Sequence, residues 1–145
     1  MPRRNRDRLT RDRIDPSRVL GAVGDPGAGA VVLFLGTVRD NSGGKPVTGI
    51  EYEAYGPMAE RRLAMTEQEV KRKWPSTRSV RIVHRVGGLK VGEVSVAVAV
   101  SSPHRADAFE ACRYAIDRIK AGLPLWKRER VKGTHRWVQG RPIEA

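Results

Sequence analysis

Cysteine is nearly absent from this chain: Cys112 is the single one among 145 residues. One thiol can form no intramolecular disulfide and cannot assemble a metal site alone. Long apolar runs are missing too. The best candidates, residues 31–35 and 94–100, are strand-sized and far short of the ~20 residues a membrane helix requires. The first thirteen residues are Arg-rich and lack the apolar stretch of a secretory signal, so the expected compartment is the cytoplasm. Aromatic residues make up only 6% and do not interleave with basic ones, which argues against a stacking surface for nucleic acid. No Gly-rich phosphate loop ends in Lys-Ser/Thr, and no GxGxxG follows a strand. His84, His104 and His135 are scattered and pair with no nucleophile at a known motif. Metal and serine-hydrolase chemistry are therefore not expected, and no cofactor is.

Negative charge is scarce as well. Lys and Arg outnumber Asp and Glu 28 to 16, a formal charge of +12, so the natural partners are anions. Part of the excess lies in residues 1–13, which have little to bury and read as a disordered arm ahead of one domain over 14–145. Hydrophobic content of 39% and this length suffice for a real core.

Asp15-Pro16-Ser17 is a helix start, with Asp15 as cap and Pro16 at the first helical position. Residues 30–38 are near-continuously apolar, the pattern of a buried central strand. Residues 48–55 alternate, with Ile50 and Tyr52 on one face and Glu51 and Glu53 on the other. Residues 57–74 read as an amphipathic helix, and 80–86 and 94–100 as strands joined through glycines. Ser102 and Pro103 open a second long helix whose core stripe is Phe109, Cys112, Ile116 and Ile119. Extended segments follow at 125–127 and 137–138. The order predicts an α+β domain with a mostly antiparallel sheet.

The candidate chemistry is a set of cations at element ends. Arg39 directly follows a strand. His104 and Arg105 stand at a helix start, where unpaired backbone N–H groups and the dipole already favour anions. Lys120 closes that helix and Lys127 lies seven residues on. Each has a bland alternative, as a solvated turn, a helix-end cation or a surface charge. If the two lysines face one pocket, each lowers the other's pKa and suits it to proton transfer or nucleophilic attack. Cys112 and His84 read as packed structural residues, and Trp126 and Trp137 as core anchors.

At these residues the chain resembles a known family. GAVVLFLGTVR at 29–39, IEYEAY at 50–55, SSPHR at 101–105, FEAC at 109–112, Ile119-Lys120 and PLWKRE at 124–129 are similar to the large, catalytic subunit of molybdopterin synthase, the MoaE family. That resemblance implies an α/β-hammerhead-like fold and a large-subunit homodimer. It also implies a heterotetramer with a small ubiquitin-like subunit that donates sulfur from a C-terminal Gly-Gly thiocarboxylate. The implied substrate is cyclic pyranopterin monophosphate, which gains the dithiolene of molybdopterin in molybdenum cofactor biosynthesis. It implies Lys120 and Lys127 as catalytic residues, and Thr37, Val38, Arg39, Arg128 and Glu129 as substrate contacts. His104 and Arg105 are implied as an anion-binding pair from the neighbouring large subunit. The rival expectations are a basic nucleic-acid-binding module and a non-catalytic scaffold for the ubiquitin-like partner.

Overall fold

A computed structural model describes residues 7–131 and the backbone of 134–137. The chain runs β1 (Leu9–Thr10), α1 (Pro16–Ala22), β2 (Ala30–Thr37), β3 (Asn41–Ser42), β4 (Lys45–Pro46) and β5 (Gly49–Ala54). It continues through α2 (Gly56–Lys73), β6 (Ser79–Arg85), β7 (Gly87–Lys90), β8 (Val94–Ser102), α3 (Arg105–Gly122), β9 (Leu125–Val131) and β10 (Thr134–Trp137). This is the expected α+β class. The strands form two four-stranded sheets, ordered β1-β6-β8-β2 and β10-β9-β5-β7, plus the β3-β4 hairpin. Every pairing is antiparallel except β1 with β6.

β8 is the spine. Its Val96, Val98 and Val100 face α2 and α3, while Ala97 and Ala99 pack with Val19 and Val23 of α1. β2, expected at the centre, is instead an edge strand of the described sheet. Its Val32 and Phe34 turn to the α3 side and its Leu33 and Leu35 to the α1 side. A continuous apolar run reports two covered faces and says nothing of a strand's position in the sheet.

Asp15 caps α1 as expected, its carboxylate accepting from the Ser17 N–H. α3 begins later than expected, at Arg105 with His104 as N-cap, because β8 extends through Ser102 and buries both serines. Its buried stripe is Ala108, Ala111, Cys112, Ala115, Ile116 and Ile119; Phe109 sits off that face and is 61% exposed. β7 was not legible in its Gly-Gly-Leu-Lys sequence.

The fold also starts ahead of Ile14. The Arg8 guanidinium reaches Glu67 at 2.8 Å and Glu60 at 3.3 Å, and the Glu60 carboxylate accepts from the backbone N–H groups of Arg8 and Leu9. Glu67, itself buried, also accepts from the Ile82 N–H. Arg8 therefore anchors β1 beside β6, so this stretch of the arm has an ionic partner that a hydrophobicity pattern cannot show. Residues 1–6 lie outside the described part.

Candidate functional site

The cavity sits where the two sheets meet the C-terminal end of α3. It measures about 350 Å³ and is lined by both strand systems and that helix end. β2 ends in Thr37 at its mouth, and the chain places Arg39 there after one intervening residue. Lys120, in the last turn of α3, and Lys127, on β9, converge on it. The tight return through Leu123, whose N–H donates to the Ile119 carbonyl, reverses the chain into β9 and closes the seven-residue gap. Strand alternation then turns Leu125, Lys127 and Glu129 to the cavity side of β9.

The electrostatics follow from that convergence. Partial burial lowers the Lys120 pKa from its ordinary value, and the neighbouring charges of Lys127 and Arg39 lower it further. Glu129 is 4% exposed at the same cavity, a buried carboxylate among these cations. The rim, with Thr37 and Arg39 exposed, is cationic, whereas the floor of Tyr52, His84 and Ser95 is buried and polar. Phe34, Val96, Ile116 and Ile119 make apolar walls. Such a site can hold an anionic group at its mouth, and a lysine with a lowered pKa can exchange protons or attack there.

Five of the nine residues expected from the sequence line this one cavity: Thr37, Arg39, Lys120, Lys127 and Glu129. The other four do not. Val38 is a core residue at 4% exposure, and its backbone ties down the loop before β8 through Glu93 and Gly92. Arg128 lies on the opposite face of β9 and pairs with Glu51 at 3.0 Å. His104 and Arg105 stand at the far end of α3, about 22 Å from Lys120 at ~1.5 Å per residue. Sequence reading missed Tyr52, Ser95 and His84 as cavity groups; their strand positions carry no signal separating a lined cavity from a packed core. Cys112 is a packed residue, 3% exposed with its thiol pushed up to about 11 by burial. Trp126, expected as a core anchor, is 43% exposed, and the Trp137 side chain lies outside the described part. Among the described residues no group of His, Cys, Asp and Glu is arranged to hold a metal ion, and no helix is long and apolar enough to cross a membrane.

Fold and cavity define a class: a small α+β domain that gathers two lysines and an arginine around a partly closed, anion-receptive pocket. The family follows from comparison with known proteins. Residues 9–122 match the family model described as MoaE protein, and the chain belongs to that family. It is 48% identical to the molybdopterin synthase catalytic subunit of Halalkalibacterium halodurans, over 83% of this chain and 77% of that one. Identity to the corresponding subunit of the bird Taeniopygia guttata is 40%, over 92% and 86% of the two chains. The crystal structure of molybdopterin synthase from Staphylococcus aureus superposes with a TM-score of 0.87 at 41% identity, covering 94% of this chain and 98% of that one.

Proposed function

We propose that this chain is the catalytic subunit of a molybdopterin synthase, moving sulfur from the C-terminal thiocarboxylate of a small ubiquitin-like subunit to cyclic pyranopterin monophosphate in the cytoplasm. The observation that carries the reading is the convergence of Lys120, Lys127 and Arg39 on one cavity. Donor tail and substrate are both anions, and bringing them together requires cations that offset their repulsion and hold the reacting atoms close. Lys120, its ammonium destabilised by burial and by Lys127, is the group for proton transfer or for anchoring an intermediate. Lys127 and Arg39 stabilise charge at the mouth, with Thr37 beside them and Glu129 facing them.

His104 and Arg105 act from a second copy in this reading. β2 is an eight-residue edge with no strand on its outer side among the described residues. Val31 on the strand itself is 47% exposed, and α1 and α3, which both pack on β2, carry the exposed Leu20 and Phe109. Such an edge invites pairing. A two-fold antiparallel β2–β2 contact lays the Ala30 end of one strand beside the Thr37 end of the other. Ala30 pairs with Ser102, two residues before His104, and Thr37 lies two residues before Arg39. The contact therefore carries His104 and Arg105 across the ~22 Å that separate them from Lys120 within one chain. Val38 and Arg128 serve as supports in this scheme, Val38 holding the Arg39 segment and Arg128 bracing β9 against β5.

The test is single-turnover dithiolene formation with the thiocarboxylated small subunit and cyclic pyranopterin monophosphate. Lys120→Ala is expected to lose at least ~100-fold in rate, the usual range for a positioned acid or base, while still binding the small subunit. Wild-type turnover in that variant would sink the assignment, and a wild-type protein that binds the small subunit without turnover would favour a scaffold.

A further inference from the structure

The cavity floor contains a polar group with no part in the sulfur-transfer scheme. His84, on β6, is 2% exposed and lines the cavity beside Lys120 and Glu129. Its Nδ1 lies 2.8 Å from the Arg85 carbonyl oxygen, which can only accept, so Nδ1 carries the proton. Nε2 then bears the lone pair, and no protein group among the described residues bonds it. An edge-on contact with Tyr52, ring centroids 5.2 Å apart, fixes the plane of the imidazole. Burial, reinforced by the Lys120 charge, holds the imidazole pKa down at about 4, so the ring is neutral at physiological pH.

One neighbouring donor is already committed. Ser95 Oγ donates to the Gly36 carbonyl at 3.2 Å. Burial raises the pKa of the Tyr52 hydroxyl, so it stays a phenol beside Ser95. The Nε2 of His84 is then an acceptor open to a visitor, between apolar walls suited to a flat ring. A buried acceptor discriminates sharply between ligands that carry an N–H at that position and those that do not, because an unmet acceptor is costly.

We propose that His84 is a specificity-determining residue whose Nε2 accepts a hydrogen bond from a ring N–H of a pterin-type heterocycle, with the ligand's charged end at the lysine rim. The proposal rests on the sulfur-transfer reading for the identity of the heterocycle.

The experiment measures equilibrium binding of 6-hydroxymethylpterin, followed by its fluorescence, and of its N3-methylated counterpart to the full chain. Wild type is expected to bind the methylated ring about tenfold or more weakly. His84→Phe, which keeps the aromatic contact with Tyr52, is expected to bind the parent pterin about tenfold more weakly and to lose the discrimination, and His84→Gln to restore part of it. Comparison of the two ligands on wild-type protein stands even if a variant fails to fold. Equal wild-type affinity for both rings overturns the proposal, as does a His84→Phe variant that loses turnover with pterin affinity and KM intact, since the ring would then act only through Lys120. Single turnover of cyclic pyranopterin monophosphate separates the two levels. Wild-type turnover without ring discrimination removes only the His84 assignment, and its absence removes the sulfur-transfer reading and the proposal with it.

Discussion

Lys120 illustrates how much one side chain owes to its setting. A helix-end lysine in solvent gains slightly from the dipole and keeps its ordinary pKa. Here burial, then Lys127, then Arg39 act against its charge, and only Asp117 opposes them. Replacing Lys127 with alanine removes one repulsive charge, so the Lys120 pKa is expected to rise toward 10.5. NMR titration of lysine side-chain carbons in the two proteins reads this directly; an unchanged Lys120 titration would mean that the two ammonium groups do not share the cavity. The sign also fixes a stability window. Between the folded pKa and 10.5 the unfolded chain binds more protons at this position, so the Lys120 contribution to stability rises with pH there and is lost as pH falls through the folded pKa. Spacing alone could suggest the lysine pair, since a helix end and a turn can bring residues seven apart together. Nothing in the spacing distinguished His84 from a packed histidine, because its role depends on which side of β6 holds a cavity.

At the scale of elements, the pocket depends on β5, which joins β9 on one edge to β7 on the other. Gly49 opens β5, and a Cβ there would meet the Leu89 carbonyl oxygen of β7 at 2.6 Å. The obstacle is backbone within a paired ladder and cannot swing aside. Gly49→Ala is therefore expected to cost roughly 1–3 kcal/mol of stability, measured by urea unfolding, and to reduce turnover by shifting the strand that aligns β9 and Lys127. A fully stable variant would show that β7 yields freely. The elements with strong local signals were legible in the sequence: the Asp15-Pro16 cap, the alternation of Ile50 and Tyr52, the long helices. Those whose identity is set by distant partners were not. β1 is held by Arg8 against Glu60 and Glu67, more than fifty residues away in sequence. β7 is a Gly-Gly strand that exists because β5 pairs with it. The α3 start was misplaced by two residues because Ser102-Pro103 has good capping chemistry, yet the β8–β2 ladder claims Ser102.

The whole molecule is incomplete as a single copy if His104 and Arg105 belong to the site, because α3 holds them at the opposite end from Lys120. That separation yields a test independent of any structure of the dimer. Arg105→Ala and Lys120→Ala proteins each lack one component of every site when pure. Mixed under conditions that exchange subunits, they form hybrid dimers in which one site carries both defects and the other carries none. Random mixing makes half of the dimers hybrids, so activity is expected to recover to about a quarter of the wild-type value. A site built within one chain would show no recovery, since each polypeptide would keep its own defect. The same arrangement predicts where the contact lies. Val31 is 47% exposed on the β2 edge and contributes little to the monomer core. Val31→Lys sets a charged side chain in that edge, toward the Thr37 end of the second strand, and opposes strand pairing. Sedimentation should therefore find Val31→Lys folded but monomeric, with turnover depressed to the level of Arg105→Ala, and a dimeric, fully active Val31→Lys protein would move the interface away from β2.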